Sequence, residues 1–334
     1  MPKTSLAVVI LAFNEEQHIK RAIDSIKWIA TEIFVIDSFS TDRTVEIAKE
    51  SGAIVLQNRW VNYSAQFQWA LNNAVISSEW IMRLDADEVV EEELSKEIDD
   101  KLMYLNSDAV AVMVRCKQIF WGRWIKHGGV YPLTLLRIWR RGVGRIEQRW
   151  MDEHIVLSHG TSVKFSGHLR NENLGDLSFF TKKHNDYATR EAVDCIFTQL
   201  KLANNSVDEM KNIQAKWKRL IKTHVYNRMP AYLGPVLYYM YRYIFRCGFL
   251  DGVEGFVYHT LQGFWYRLLV GARVIELRKA IDAAKGSAKI EMILAQVTGL
   301  EIPSSDLSPR IGRTYDLDSH DPGGFHGQGN GSRP

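Results

Sequence analysis

The first hundred residues predict an α/β fold with a mostly parallel sheet flanked by helices, and three observations carry that reading. Short apolar runs at 6–13, 33–42, 53–58 and 80–85 alternate with stretches of helical spacing. Each run stops at polar, turn-forming residues. Those polar stops, Asn14/Glu15, Asp37/Ser38 and Asp85/Asp87, fall beyond the carboxyl ends of the strands, where ligands of such sheets bind.

Taken in order, LAVVILAF (6–13) is a buried strand bounded by Asn14-Glu15-Glu16. Residues 15–29 then place Ile19, Ala22, Ile23 and Ile26 on one helical face. IFVIDSFSTD (33–42) is the second strand with its turn, and Thr41 or Asp42 caps a helix over 43–51 that Gly52 stops. AIVLQN (53–58) is the third strand, 63–76 a helix, and WIMRLD (80–85) the fourth strand, followed by an acidic helix from about 91 to 105. From 109 to about 170 the runs AVAVMVRCKQIFWG, 134–139 and 161–166 read as strands of mixed direction with glycine joints at 128–129 and 142–144. Charged helices dominate 177–222, and 225–270 is dense in Tyr, Phe, Trp, Leu and Arg. Residues 301–334 are rich in Gly, Ser, Pro and Asp without apolar periodicity, which predicts disorder.

Composition narrows the function classes. The chain has 334 residues, 46% hydrophobic and 24% charged, and suits a globular protein with a sizeable core. A net charge of +3 gives no electrostatic case for nucleic acid. Cys116, Cys195 and Cys247 form no CxxC pair, so neither a zinc site nor a disulfide framework is indicated and a reducing cytoplasm fits. No run reaches the roughly 18 apolar residues of a membrane helix, and the N-terminal run lacks a signal-cleavage site.

Chemistry concentrates in Asp85-Ala86-Asp87. Residues i and i+2 of a strand project to one side, and two carboxylates held that way repel unless a cation lies between them. An oxygen-ligated divalent ion completed by phosphate and water is one solution; acids opening the next helix are the other. Glu88 to Glu93 fit the second description, as solvated, helix-starting acids. Neither GxGxxG nor GxxxxGK[ST] is present, so phosphates must be met by metal and side chains.

AFNEEQHI, VIDSFSTDRT and MRLDADE, in this order and spacing, resemble the donor half of family 2 inverting glycosyltransferases with the GT-A (Rossmann-like) fold. The resemblance implies a nucleoside-diphosphate sugar, a UDP-sugar, as donor and Mg²⁺ or Mn²⁺ as cofactor. It assigns Phe13, Asn14 and Glu15 to the loop lining the nucleotide, Asp37 to the base, and Asp85 and Asp87 to the DxD pair, with Asp87 as the direct metal ligand. Gln66 matches a Gln-Arg-Asn segment whose arginine is Phe67 here, and Arg83 is available to the diphosphate or to the outer face of the strand. An inverting transferase also needs a base at the acceptor hydroxyl. RWMDEHIV (149–156) resembles the family's acidic base motif imperfectly, with Asp152 or, one register away, Glu153 as the base. No histidine among 154, 159, 168 and 184 is singled out as a metal ligand; Lys183, His184 and Tyr187 share a helix face that touches acceptor or diphosphate, or simply packs.

The domains expected are a glycosyltransferase domain over 1–175 (donor half 1–107, acceptor half 108–175), a helical region over 176–300, and the tail. The segment 225–270, with Arg242, Arg246 and Arg267 and a joint at Gly248, Gly252 and Gly255, suits an amphipathic helix pair at a membrane surface or, equally simply, a core or dimer interface. It is similar to the tails of lipopolysaccharide-core and exopolysaccharide transferases, which implies a peripheral protein at the cytoplasmic face of a bacterial inner membrane acting on a saccharide or lipid-linked acceptor. A nucleotidyltransferase and a non-catalytic membrane-docked scaffold are the rival readings. A processive polymerase is disfavoured, because Gln148-Arg149-Trp150 is one spacing short of its signature.

Overall fold

The computed structural model describes residues 5–147, 154–200, 233–284 and 289–302. The expected base candidates Asp152 and Glu153, the helical stretch at 201–222 and the tail from 303 onward lie outside the described residues.

Strands β1 (Leu6–Ala12), β2 (Glu32–Asp37), β3 (Ile54–Gln57) and β4 (Trp80–Asp85) are all parallel, in the spatial order β3-β2-β1-β4. Between them run helices α1 (Ile19–Ile26), α2 (Thr44–Glu50) and α3 (Tyr63–Asn73). Every residue of β1 is buried, because a central strand covered on both faces has no polar side. Its register sets Ala12 beside Asp37 and Leu11 beside Asp85, so loops distant in sequence end side by side.

The sheet continues through β5 (Glu88–Val90), β6 (Ala109–Phe120), β7 (Arg123–Ile125), β8 (Leu133–Arg140) and β11 (Thr161–Glu172), while β9 (Gly144–Ile146) and β10 (Ile155–Leu157) pair separately. The order beyond β4 is β8-β6-β11-β5, with β7 on β6. Because β8 is antiparallel to both β4 and β6, β6 runs with β4 and its end at Phe120 lies on the Asp85 side of the sheet. One core layer joins Ile19, Ile23 and Ile26 of α1, and Leu94 and Ile98 of α4 (Glu92–Lys101), to Val8, Ile10 and Leu84. The opposite layer holds Phe67, Trp139 and Ile81.

The predicted helix over 15–29 is shorter at its start. Residues 15–18 form a turn in which the Glu15 N–H is tied to Thr44 Oγ1 at 2.7 Å. The expected cap of α2 is met by Asp42, whose Oδ1 accepts from the N–H of Thr44 at 3.0 Å. The reading of Glu88 as a solvated, helix-starting acid is wrong. It lies on β5, 1% exposed, because 88–90 pair antiparallel with β11 and draw that segment back into the sheet before α4 begins.

The C-terminal part is helical: α5 (Leu177–Leu200), α6 (Leu233–Met240) running through a π-helical turn to Phe245, α7 (Gly252–His259), α8 (Tyr266–Ala283) and α9 (Ile290–Thr298). Ala192, Val193 and Ile196 of α5 pack on Leu277 of α8 and Leu294 of α9. The glycine joint is a short turn at Gly248–Asp251, clamped to the sheet domain by Asp251, which accepts from the His127 N–H at 2.9 Å and contacts His127 Nδ1 at 2.6 Å. Gly128 beside it has φ +67, and a Cβ there would stand 2.1 Å from the His259 ring, so only glycine lets the two parts meet this closely. Of the three arginines expected at a lipid surface, Arg242 instead turns inward to donate to the Gly128 carbonyl (3.0 Å) and Arg267 pairs with Glu191 (2.8 Å); Arg246 is exposed. Among the described residues no helix is long and apolar enough to cross a membrane.

Candidate active site

The loops after β1 and β2 are joined first. Asn14 takes a left-handed backbone (φ 55), which asparagine tolerates better than most residues. That bend lets its N–H donate to Ser40 Oγ at 2.8 Å and its Oδ1 accept from the Thr41 N–H at 2.8 Å. Phe13 and Asn14 are exposed at this edge, and the Glu15 carboxylate is held by His18 Nδ1 at 2.6 Å.

Asp37 is fully buried. Its oxygens accept from the Ser40 N–H at 3.1 Å, from the Ser40 hydroxyl and from Gln57 Nε2 at 2.9 Å, so the carboxylate expected at a base edge shapes the turn from inside. Gln66, also expected at the nucleotide, is buried behind that turn, donating to Ser38 Oγ at 3.1 Å and accepting from Asn58 Nδ2 at 2.7 Å. Phe67, where the family resemblance leads one to expect arginine, is a core residue against Trp139.

Below the end of β4 lies a charged floor. Asp85 accepts from the Tyr63 hydroxyl at 2.6 Å and from Arg137 Nη2 at 3.2 Å, and Arg83 stands 3.5 Å away with its guanidinium over the Tyr63 ring. Arg83 therefore faces neither solvent nor an open mouth; Tyr63 and Asp85 engage it. Arg137 also pairs with Glu88, whose other oxygen accepts from the Asp85 N–H at 3.0 Å. Burial would push Asp85 up, but Arg83 and Arg137 outweigh it and hold the carboxyl well below the usual range. Glu88 goes the other way: burial, with Asp85 beside it, raises it to about 7 against the pull of Arg137. Much of the cation that the acidic triplet calls for is thus supplied by the protein.

Asp87 is held differently. Its backbone carbonyl accepts from the Glu172 N–H at 3.0 Å and from Arg21 of α1 at 3.4 Å. Among the described residues, its carboxylate meets Asn173 Nδ2 and Lys183 Nζ, both 3.4 Å from Oδ2. Among the described residues no group of three His, Cys, Asp or Glu gathers to hold a metal. A hard divalent ion does not need one, since Mg²⁺ is bound by one or two carboxylates with substrate phosphates and water. Asp87, a weakly engaged carboxylate held in place by its backbone, fits that donor set.

The face formed by Lys183, His184 and Tyr187 divides. Lys183 faces Asp87, while His184 stacks on Phe180 at 3.9 Å, contacts the Phe180 carbonyl and Gln262, and packs. His168 bonds Tyr131 at 2.9 Å, and neither His154 nor His159 contacts an aspartate of the triplet. On either side of residues 148–153, Glu147 N–H donates to the His154 carbonyl at 2.8 Å, and Ile146 and Ile155 pack in the cluster containing Tyr63 and Phe67.

Sequence reasoning missed Tyr63, Arg137 and Asn173. For Arg137 a signal exists: a lone arginine inside the apolar run LTLLRIWR has to find a buried acid.

Residues 7–165 match the profile of glycosyl transferase family 2. A lipopolysaccharide core biosynthesis glycosyltransferase, LpsC, of Rhizobium meliloti is 26% identical over 85% of this chain and 96% of its own. An uncharacterized glycosyltransferase of Rickettsia bellii is 42% identical over 30% of this chain, and the match spans about a third (32%) of that relative's length. The glucosyl-3-phosphoglycerate synthase of Mycobacterium tuberculosis, solved with Mn²⁺, UDP and glucosyl-3-phosphoglycerate, overlaps 35% of this chain and 44% of its own at 23% identity and a TM-score of 0.28, which adds nothing to the topology above.

Proposed function

With residues 7–165 a glycosyl transferase family 2 domain, we propose that the chain moves a single sugar from a UDP-sugar to a hydroxyl of a saccharide or lipid-linked acceptor in cell-envelope polysaccharide assembly, with inversion and with Mg²⁺ or Mn²⁺. The observation that carries this reading is the register of β1, which brings the Asn14 loop, the Asp37 turn and Asp85-Ala86-Asp87 to one edge.

The nucleoside lies along the joined loops at Phe13, Asn14 and Ser40, with Asp37 and Gln66 setting the shape of the turn it meets. Asp87 would hold the divalent ion, which when bound would supply positive charge to the leaving diphosphate. Asp85, braced by Tyr63, Arg83 and Arg137, keeps the turn from collapsing onto its neighbour. Asp152 or Glu153 takes the proton of the acceptor hydroxyl as it attacks the anomeric carbon from the opposite face.

The chain works at the cytoplasmic surface of a membrane. Leu237, Ile244, Phe245, Leu250, Val253 and Phe256 are exposed on α6, α7 and their joint, and Arg246 is exposed among them. Trp121, just past the end of β6 on the Asp85 side of the sheet, is exposed as well. Aromatic rings, aliphatics and arginine together suit an anionic headgroup region, and that side of the sheet would receive a lipid-linked acceptor.

Asp87→Ala is the direct test, with transfer measured across a panel of UDP-sugars and Mn²⁺. Loss of metal-assisted charge stabilisation lowers the rate about a thousandfold, the equivalent of several kcal/mol. Wild-type turnover by Asp87→Ala, with metal still required, sinks the assignment.

A further inference from the structure

An ammonium already stands beside the carboxylate that the divalent ion has to reach. Lys183 lies in the second turn of α5, just past the end of β11, with Nζ 3.4 Å from Asp87 Oδ2. Phe179 and Tyr187, one turn to either side, lie about as far from it, at 5.9 and 6.0 Å, and guide the ammonium between two rings. Glu15, which also attracts Lys183 electrostatically, is held by His18 at 2.6 Å.

We propose that Lys183 is the resident counter-ion of Asp87, and that it passes to the donor's diphosphate when a divalent metal takes the carboxylate, so that metal and donor bind as a pair. This rests on the glycosyltransferase reading above and names a donor-binding residue that the reading does not include.

Three physical points support it. The Lys183–Asp87 contact is long and its partners keep 28% and 14% of their side-chain exposure, so it is displaceable, unlike the packed His184 one residue on. A lysine stem is flexible and its head is a point charge, so Nζ can move several ångströms without moving α5. An ammonium and a divalent ion on one carboxylate repel each other, whereas a diphosphate beside them attracts both.

The test titrates Mn²⁺ alone, and then UDP in the presence of Mn²⁺, into wild type, Lys183→Met and Lys183→Arg by calorimetry, with thermal melts as the folding control. Lys183→Met should bind Mn²⁺ alone several-fold more tightly and UDP with Mn²⁺ about tenfold more weakly, the loss of one charge-assisted contact. Lys183→Arg, which keeps the charge, should recover most of the UDP affinity. Unchanged UDP affinity in Lys183→Met overturns the proposal alone. Loss of both affinities together with a lowered melting point also overturns it, since Lys183 would then only support the fold. A wild-type chain that binds Mn²⁺ but no UDP overturns the transferase reading as well.

Discussion

Under the strand ends, Arg83, Asp85, Glu88 and Arg137 are charges enclosed by protein, whereas on the helices between 233 and 256 large hydrocarbon side chains face outward, Phe245 at 76% and Val253 at 71% exposure. Both regions reverse the usual distribution of polar and apolar groups. They tolerate the reversal by different means. The buried charges are paired with one another, so their desolvation is offset within the protein. The exposed apolar residues have no such partner among the described residues. One region therefore holds its geometry through its own pairing, and the other leaves apolar side chains open among the described residues.

Breaking the first region should have the largest effect. Arg137→Met leaves Glu88 and Asp85 facing each other without their shared cation and should destabilise the fold by about 3–5 kcal/mol, read from denaturant unfolding. Adding Glu88→Leu should recover much of that loss, because an apolar replacement of a whole buried pair is often neutral. An unperturbed unfolding curve for Arg137→Met would show that the floor is not what holds Asp85.

The second region should respond in binding rather than in stability. Phe245→Glu combined with Val253→Glu should weaken sedimentation with anionic phospholipid vesicles about tenfold or more while leaving the melting point unchanged. A melting point that drops instead would mean the face is covered within the protein.

The smallest effect is a slope. Glu88 keeps its proton in the fold up to about 7, against an ordinary value of 4.5, so between those limits the native state binds more protons than the unfolded chain. The stability it contributes is fully present below 4.5 and is lost as pH rises through about 7. Glu88→Gln should flatten that fall, measured by comparing melts at about pH 5 and about pH 7.5. An equally steep fall in the variant would assign the slope to another group.

The legible parts of this chain were those where one residue type has one use. The apolar runs of β1, β2 and β4 are covered strands and that of β3 is the exposed edge strand, and their polar stops marked the edge at which a site would form. Glu88 was misread because an acid after a strand looks the same whether it opens a helix or doubles back. Its burial depends on pairing with Asn171, some eighty residues away. Asp37 and Gln66, expected at the nucleotide on the strength of family resemblance, are buried and hydrogen-bonded within the turn.

The sequence by itself determined the alternation of strands and helices and the edge at which their polar stops gather, because periodicity and residue order are local. Which of the two acids the protein engages more strongly was decided by tertiary structure. Asp85 and Asp87 are two residues apart and chemically identical, and they differ only in what β8, α3 and α5 bring to them: two arginines and a tyrosine for one, a movable lysine for the other.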